Sequence, residues 1–448
     1  MNIVHALGWY YPDSIGGTEV YVAGLARRLR AAGHEIAIAA PSARRSTTAE
    51  YQHEQISVFR YPVPGHPTRN EAQGLVRARG AQELHNWLRR QRPDVLHVHS
   101  MVTGLGVHEL RAARDLGIPI VLTHHLPSLG VVCRQGALME RGTAACDGLA
   151  SPRRCAACVL ETRGAPTWAA GVVARMPMPL SDALGYLGGP LGTGLGMVAS
   201  IGRDRDRFRE VNQLVDVQVV LNEAGRRILA ANGVAPSRIS INRLGVDQLV
   251  SRKPDPDRQP TTLPIRLGYI GRIDSTKGLR ELVLAMRRVP EGRLTLTIVG
   301  PFQSSVPAGF GEELARLAQT DSRISLLPAV PATEVPQLLS QFDLLCCPST
   351  GFENGPTVAL ESMAVGTPVV GTTLGNLGEI VRDDVDGRLV PPHDVAALAE
   401  VFAGVAAAPD RTIDRWRAAI GPVRTMQQIT ADYLSLYSRL RPTAARAS

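Results

Sequence analysis

Short apolar runs alternate with stretches of helical period along most of this chain. Ile3-Val4-His5-Ala6-Leu7 opens as a buried strand, and a loop carrying Pro12, Asp13, Gly16 and Gly17 follows. Thr18 stands where a helix cap belongs. Val20, Ala23, Leu25 and Leu29 then give one apolar face to a helix through about Ala32. Gly33 stops that helix, and Glu35 to Ala40 reads as the next strand. Strand, helix, strand is a βαβ unit, which builds a parallel sheet. The rhythm continues with helix-like Glu71 to Arg90, strand Val95 to His99, helix Thr103 to Leu116 and strand Ile120 to Thr123. Val217 to Leu221 and Ile239 to Ile241 are the last strands of this half.

Two interruptions divide the chain. The first, about 126–209, breaks the rhythm inside the N-terminal half and reads as a large insertion. The second, 251–264, is polar and rich in proline (Pro254, Pro256, Pro260), as a linker is. After it the strands resume: Ile265 to Ile270, Leu294 to Val299, Ile324 to Leu327, Leu344 to Cys347 and Pro368 to Gly371. Met426 to Leu440 forms an amphipathic final helix through Ile429, Tyr433, Leu436 and Tyr437, and 441–448 reads as a frayed tail. The expected layout is an α/β N-terminal domain over 1–250, the linker, a second α/β domain over 265–425 and a crossover helix at 426–440.

Length agrees, because 448 residues exceed what one ordinary core organises. An apolar fraction of 44% with 20% charged residues reads as globular, and a net charge of +8 suits acidic ligands. Nucleic acid is not expected as a partner, because no dense Lys/Arg stripe with interleaved aromatics occurs. Met1-Asn2 runs directly into the first strand without a basic leader, and no apolar run is long enough to span a bilayer. The expected location is therefore cytoplasmic, at most against the inner face of the cell membrane.

Chemistry concentrates on two loops of the C-terminal half. Gly271-Arg272-Ile273-Asp274-Ser275-Thr276-Lys277-Gly278 follows one buried strand and precedes a helix. Ligands of open α/β sheets bind at that carboxyl edge, and Arg272 and Lys277 could both reach a diphosphate there. Cys347 to Glu361 leaves another strand, and a helix begins near Pro356. Free backbone N–H groups at such a start suit a phosphate. Glu353 precedes the helix and can face a transferred sugar, while Glu361, in its second turn, can accept from a ribose diol. A basic turn and two solvated acids are the bland alternative, and their co-occurrence in one domain argues against it.

These segments resemble the signature of the family 4 retaining glycosyltransferases of GT-B fold. That signature is Glu, seven residues, Glu, matched by Glu353 and Glu361 with Glu-Asn-Gly-Pro at its start. Arg272 and Lys277 match the diphosphate-binding pair of the family. Gly366-Thr367-Pro368-Val369-Val370, Gly375-Asn376-Leu377-Gly378-Glu379-Ile380, Gly16-Gly17-Thr18-Glu19 and Gly33-His34-Glu35 also match. The resemblance implies two Rossmann-like domains with parallel sheets facing a central cleft. It implies Glu353 and His125 as catalytic residues, and Arg272, Lys277, Glu361, Gly17, Gly355, Pro356, Thr357 and Val358 as nucleotide-sugar contacts. His125 aligns with the histidine of a Thr-Leu-His-Asp pattern, although Leu126 replaces the acid. His99, at the end of its strand, resembles a second cleft histidine.

The implied function is transfer of a hexosyl group from a nucleotide diphosphate-sugar to a hydroxyl acceptor (glycan, lipid-linked or small molecule), an EC 2.4 activity. No cofactor is required for it. A sugar-nucleotide epimerase or hydrolase, or a non-catalytic scaffold on the same fold, are the rival readings. Within the insertion, Cys133, Cys146, Cys155 and Cys158 include one C-x2-C pair and could hold a structural zinc. The stretch from Trp168 to Ile201 carries charge only at Arg175 and Asp182, so it could lie on a membrane surface or pack as a lid.

Overall fold

A computed structural model describes residues 1–14, 16–126, 128–129, 132–247, 261–302 and 309–440. Residues 251–260 of the expected linker and the tail 441–448 lie outside the described residues. The chain divides into two compact units, one of Met1–Arg243 with the chain from Gln427 onward, the other of Leu244–Met426.

The first unit is built on β1 (Asn2–Ala6), β2 (Glu35–Ser42), β3 (Ala49–His53), β4 (Ile56–Pro62), β5 (Val95–Val98) and β6 (Ile120–Thr123). A small hairpin, β7 (Met139–Glu140) with β8 (Ala144–Ala145), interrupts before β9 (Val217–Val220) and β10 (Ile239–Ile241). Eight of these strands form one sheet in the order β10-β9-β6-β5-β1-β2-β4-β3, parallel apart from the β3 edge. The helix Met426–Leu440 closes this unit, with Ile429, Tyr433, Leu436 and Tyr437 buried as its spacing foretold. The insertion carries the small hairpin and five α-helices, Pro152–Thr162, Thr167–Ala174, Met178–Leu184, Gly189–Leu195 and Met197–Leu214.

Several local expectations are corrected. The first helix is Gly17–Ala31 with Gly16 at its cap and no side-chain cap bond, so Thr18 lies inside its first turn. The expected helix over Glu71 to Arg90 is two, Arg69–Ala72 and Gln82–Gln91. Gly74 and Gly80 between them take positive φ, and a Cβ at Gly80 would lie 2.4 Å from the Pro62 carbonyl oxygen. The helix expected from Thr103 starts at Val107, because Gly104 is left-handed and Gly106 donates its N–H to Glu109 at 2.8 Å. The strands β3 and β4 were not anticipated.

The second unit holds β11 (Ile265–Ile270), β12 (Leu294–Val299), β13 (Ile324–Leu327), β14 (Leu344–Cys347), β15 (Val369–Thr372) and β16 (Gly387–Val390). Their order is β13-β12-β11-β14-β15-β16, all parallel. Only β16 escaped the sequence pattern. β11 and β14 are neighbours, with Leu267 beside Leu344. Their carboxyl ends therefore deliver the Arg272–Lys277 loop and the Glu353 loop side by side.

Candidate functional site

Backbone contacts lock those two loops together. Gly278 has φ +67, and a Cβ there would lie 1.9 Å from the Pro348 carbonyl oxygen. The backbone N–H groups of Thr350 and Gly351 both donate to the Thr276 carbonyl, at 2.8 and 3.2 Å. Asp274 accepts from the Thr276 N–H at 2.9 Å and shapes the turn that carries Lys277. The outcome is a direct ion pair: Lys277 Nζ donates to Glu353 Oε1 at 2.5 Å. The Ser349 hydroxyl donates to the same oxygen at 2.6 Å. Ser349 is held in turn by the Thr372 hydroxyl, which donates to its carbonyl at 2.7 Å.

A third loop fixes the Glu353 backbone. Asn376 N–H donates to the Glu353 carbonyl at 2.8 Å. Gly375, at φ +68, comes so close that a Cβ would lie 2.6 Å from Glu353 N. Sequence reasoning noted this glycine within a matching stretch but not its task, and it missed Ser349 altogether. A serine four residues before a loop carboxylate carries no distinctive signal.

The remaining predicted residues of this unit lie on the same two loops and on the helix that follows the second. Gly355 and Pro356 lead into the helix Thr357–Ala364, with Pro356 at the cap position and the Thr357 and Val358 amides in the first turn. A Cβ at Gly355 would strike Leu244 Cδ1 at 2.1 Å, so packing alone demands glycine there. Glu361 lies on the same helix, partly buried, and burial pushes its carboxyl above the usual range. Among the described residues no side chain bonds to it. Arg272 is exposed on the first loop, its carbonyl accepting from the Tyr269 hydroxyl at 2.7 Å.

His125 and Gly17 belong to the other unit. His125 ends a chain of imidazoles: His5 Nδ1 meets His99 Nε2 at 2.9 Å, and His99 Nδ1 meets His125 Nε2 at 2.9 Å. His97 lies beside them and bonds to the Tyr437 hydroxyl at 2.5 Å and the Thr123 hydroxyl at 2.7 Å. Burial holds His5 and His125 down to about 3, and His97 and His99 well below the ordinary histidine range, so all four are neutral. His5 was not singled out in the sequence, because a histidine amid an apolar strand looks like packing. Gly17 is exposed, and a Cβ there would meet nothing within 4 Å.

The four insertion cysteines line one cavity of about 40 Å³. Gly148 N–H donates to Cys146 Sγ at 3.4 Å, Ser151 N–H to Cys155 Sγ at 3.4 Å and Arg141 N–H to Cys158 Sγ at 3.2 Å. Burial pushes the Cys146 and Cys155 thiols up. Among the described residues the one group of three or more whose ligand atoms all lie within 4.8 Å is His5, His97 and His99, so the sulfurs surround the cavity at wider spacing. The nitrogens of His97 and His99 are already engaged in hydrogen bonds, and that cluster reads as a network rather than an ion site.

Comparison with known proteins identifies the class. A model of glycosyl transferases group 1 matches 264–407, and a model of Glycosyltransferase Family 4 matches 15–157. The fold agrees along nearly the whole chain. HepE of Anabaena in complex with UDP superposes with a TM-score of 0.63 at 16% identity, over 98% of this chain and 100% of that one. Sucrose-phosphate synthase from Thermosynechococcus elongatus gives 0.64 at 19%, over 98% and 99%. This is a GT-B chain with glycosyltransferase-family sequence in both of its units, which supports a place among the family 4 glycosyltransferases.

Curated relatives narrow the view. D-inositol 3-phosphate glycosyltransferase of Mycobacterium marinum is 31% identical over 192 residues, 41% of this chain and 40% of that protein. Glycogen synthase of Mycobacterium tuberculosis is 31% identical over 228 residues, 50% of this chain and 51% of that protein. The matched part spans about half or less of the length of these relatives.

Proposed function

We propose that this chain is a retaining glycosyltransferase that moves a sugar from a nucleotide diphosphate-sugar to a hydroxyl acceptor. The observation that carries the reading is the Lys277–Glu353 pair at the carboxyl edge of the second sheet, beside a helix start. A diphosphate entering there competes for the Lys277 ammonium and releases Glu353 toward the sugar. Lys277, Arg272 and the Thr357 and Val358 amides then stabilise the charge that develops on the leaving diphosphate. Glu361, partly buried without a side-chain partner, is suited to accept two hydrogen bonds from a ribose diol. These groups are side chains and backbone amides, so the reaction as proposed uses no cofactor.

On the first unit, the open space at Gly17 suits close approach of an anionic ligand to backbone N–H groups. The imidazole chain supports His125 as a neutral contact to the donor sugar. His5 Nε2 is buried with no partner, and an unmatched lone pair costs less than an unmatched N–H. Protons therefore run from His5 Nδ1 to His99 Nε2 and from His99 Nδ1 to His125 Nε2, leaving the His125 proton on Nδ1.

The insertion cysteines fit a structural zinc in residue type and in the backbone N–H groups that three sulfurs receive, once the sulfurs draw inward. The deciding experiment is a thermal-shift screen of UDP-, GDP- and ADP-sugars, starting from UDP-glucose because a HepE structure holds it. Turnover with candidate acceptors follows. Stabilisation by one donor, with nucleotide diphosphate released only when acceptor is present, is expected. Release without acceptor would instead identify a hydrolase.

A further inference from the structure

The helices Thr167–Ala174, Met178–Leu184 and Gly189–Leu195 all pack against Met197–Leu214, and they pack inside out. The residues they bury are small: Ala170, Ala174, Ser181 and Gly192. Many large apolar side chains of 164–196, two of them on the 3-10 turn Gly185–Leu187, face water, while Val173, Leu184 and Leu195 are half-buried. Trp168 is 75% exposed, Leu191 68% and Tyr186 66%, and Val172, Leu180 and Leu187 are exposed with them. Trp168 and Val172 stand four residues apart on one helix and so share a face. A helix adapted only to water turns its large apolar residues to the core. Several such side chains, uncovered in one short segment, mark a contact surface.

Charge and side-chain type select the occupant. Between Arg163 and Met197 the only charged side chains are Arg175 and Asp182. Asp182 is paired with Arg203, while Arg163 and Arg175 are exposed. The Arg69 guanidinium lies 4.9 Å from the centre of the Tyr186 ring and adds a cation at the margin. Residues 164–196 thus expose apolar side chains beside arginines, and their one acid, Asp182, is paired. Tryptophan and tyrosine are the residues that settle at the headgroup level of a bilayer. Among the described residues no helix is long and apolar enough to cross a membrane, so the contact is with its surface.

We propose that the exposed apolar side chains of 164–196 dock on a bilayer containing anionic phospholipid. Trp168, Leu187 and Leu191 enter the boundary between headgroups and acyl chains, and Arg163 and Arg175 meet lipid phosphates. The proposal does not depend on the transfer reaction, since it concerns a segment outside the Lys277–Glu353 loops.

The test is sedimentation of the full chain with vesicles of phosphatidylcholine alone or mixed with phosphatidylglycerol. Binding to the mixed vesicles is expected, with at least tenfold weaker binding to the neutral ones. Combined Trp168→Ser, Leu187→Ser and Leu191→Ser should lower the affinity at least tenfold, with melting and nucleotide binding unchanged because all three side chains are exposed. Arg163→Glu with Arg175→Glu should weaken binding to the mixed vesicles and restrengthen in neither lipid. As a check that needs no unfolding-prone variant, brominated lipid should quench the wild type more than Trp168→Phe. Failure of the full chain to bind mixed vesicles, or equal binding by the triple serine variant, overturns the proposal. A dimer that the triple variant converts to monomer also overturns it and assigns these side chains to a second copy.

Discussion

The Lys277 ammonium and the Glu353 carboxylate, 76 residues apart in sequence, meet at 2.5 Å. In the proposed reaction each is the partner that a bound donor replaces, and this makes their separate functions measurable. Lys277→Ala should weaken nucleotide diphosphate binding by about tenfold or more, the worth of one charge-assisted hydrogen bond. Arg272→Ala should act in the same direction. Isothermal titration with the free nucleotide checks both, and unchanged affinity in both would remove the diphosphate assignment.

The two glutamates should fail differently. Glu353→Gln is expected to lower kcat by about a hundredfold with little change in free-nucleotide affinity, because its contact matters as charge builds at the anomeric carbon. Glu361→Gln should chiefly weaken nucleotide binding, since an amide keeps an acceptor but loses the charge-assisted strength. Steady-state kinetics beside nucleotide titration separates these. The reverse pattern would exchange the two roles.

Two glycines offer a contrast between packing and ligand space. At Gly375 an alanine Cβ would lie 2.1 Å from the Glu353 carbonyl oxygen, on a backbone at φ +68. Gly375→Ala should therefore cost about 1–3 kcal/mol of stability and lower turnover by displacing Glu353. Gly17 has nothing within 4 Å of a Cβ, so Gly17→Ala should melt like the wild type. Loss of donor affinity in Gly17→Ala would then report a ligand passing over that amide, and wild-type affinity would argue that none does.

Acid should destabilise the first unit. Burial lowers His5 from 6.5 to about 3 and His124 from 6.5 to about 4. Below pH 6.5 the unfolded chain takes up these protons and the fold does not, so stability is full above that pH and is lost as pH falls toward 4. At pH 5.5 the loss is about 1.4 kcal/mol for each histidine kept neutral. Urea melts between pH 7.5 and 5.5 measure it, and a midpoint that rises on acidification would contradict the buried neutral network.

For the cysteines, elemental analysis of reduced protein should give about one zinc per chain, and a chelator should lower the melting temperature. Protein free of both zinc and iron rejects the metal, without touching the donor loops.

Most strands of the second unit were legible because both faces of its parallel sheet are covered. Leu344–Cys347 reads as an unbroken apolar run, and Leu294–Val299 as Leu-Thr-Leu-Thr leading into Ile-Val, for that reason. Two edge strands carry no such imprint: β3 spells Ala-Glu-Tyr-Gln-His and β16 Gly-Arg-Leu-Val. The helix broken at Gly80 was hidden because the Pro62 carbonyl that forces the break is distant in sequence. In the candidate site, residue types and order singled out Arg272, Lys277, Glu353 and Glu361, of which Lys277 and Glu353 meet in the structure. The contact of Lys277 with Glu353 follows from β11 lying beside β14, a pairing no local pattern encodes.

The second unit begins at Leu244 and ends at Met426, and its two ends meet: Val246 N–H donates to Arg424 O and Met426 N–H to Val246 O, both at 2.8 Å. It is thus spliced into the first unit, whose core receives Tyr433 and Tyr437 only afterwards. During synthesis the second unit can complete itself as it leaves the ribosome. The first must wait, with His97 and Thr123 lacking their tyrosine partners, until residues 427–440 emerge.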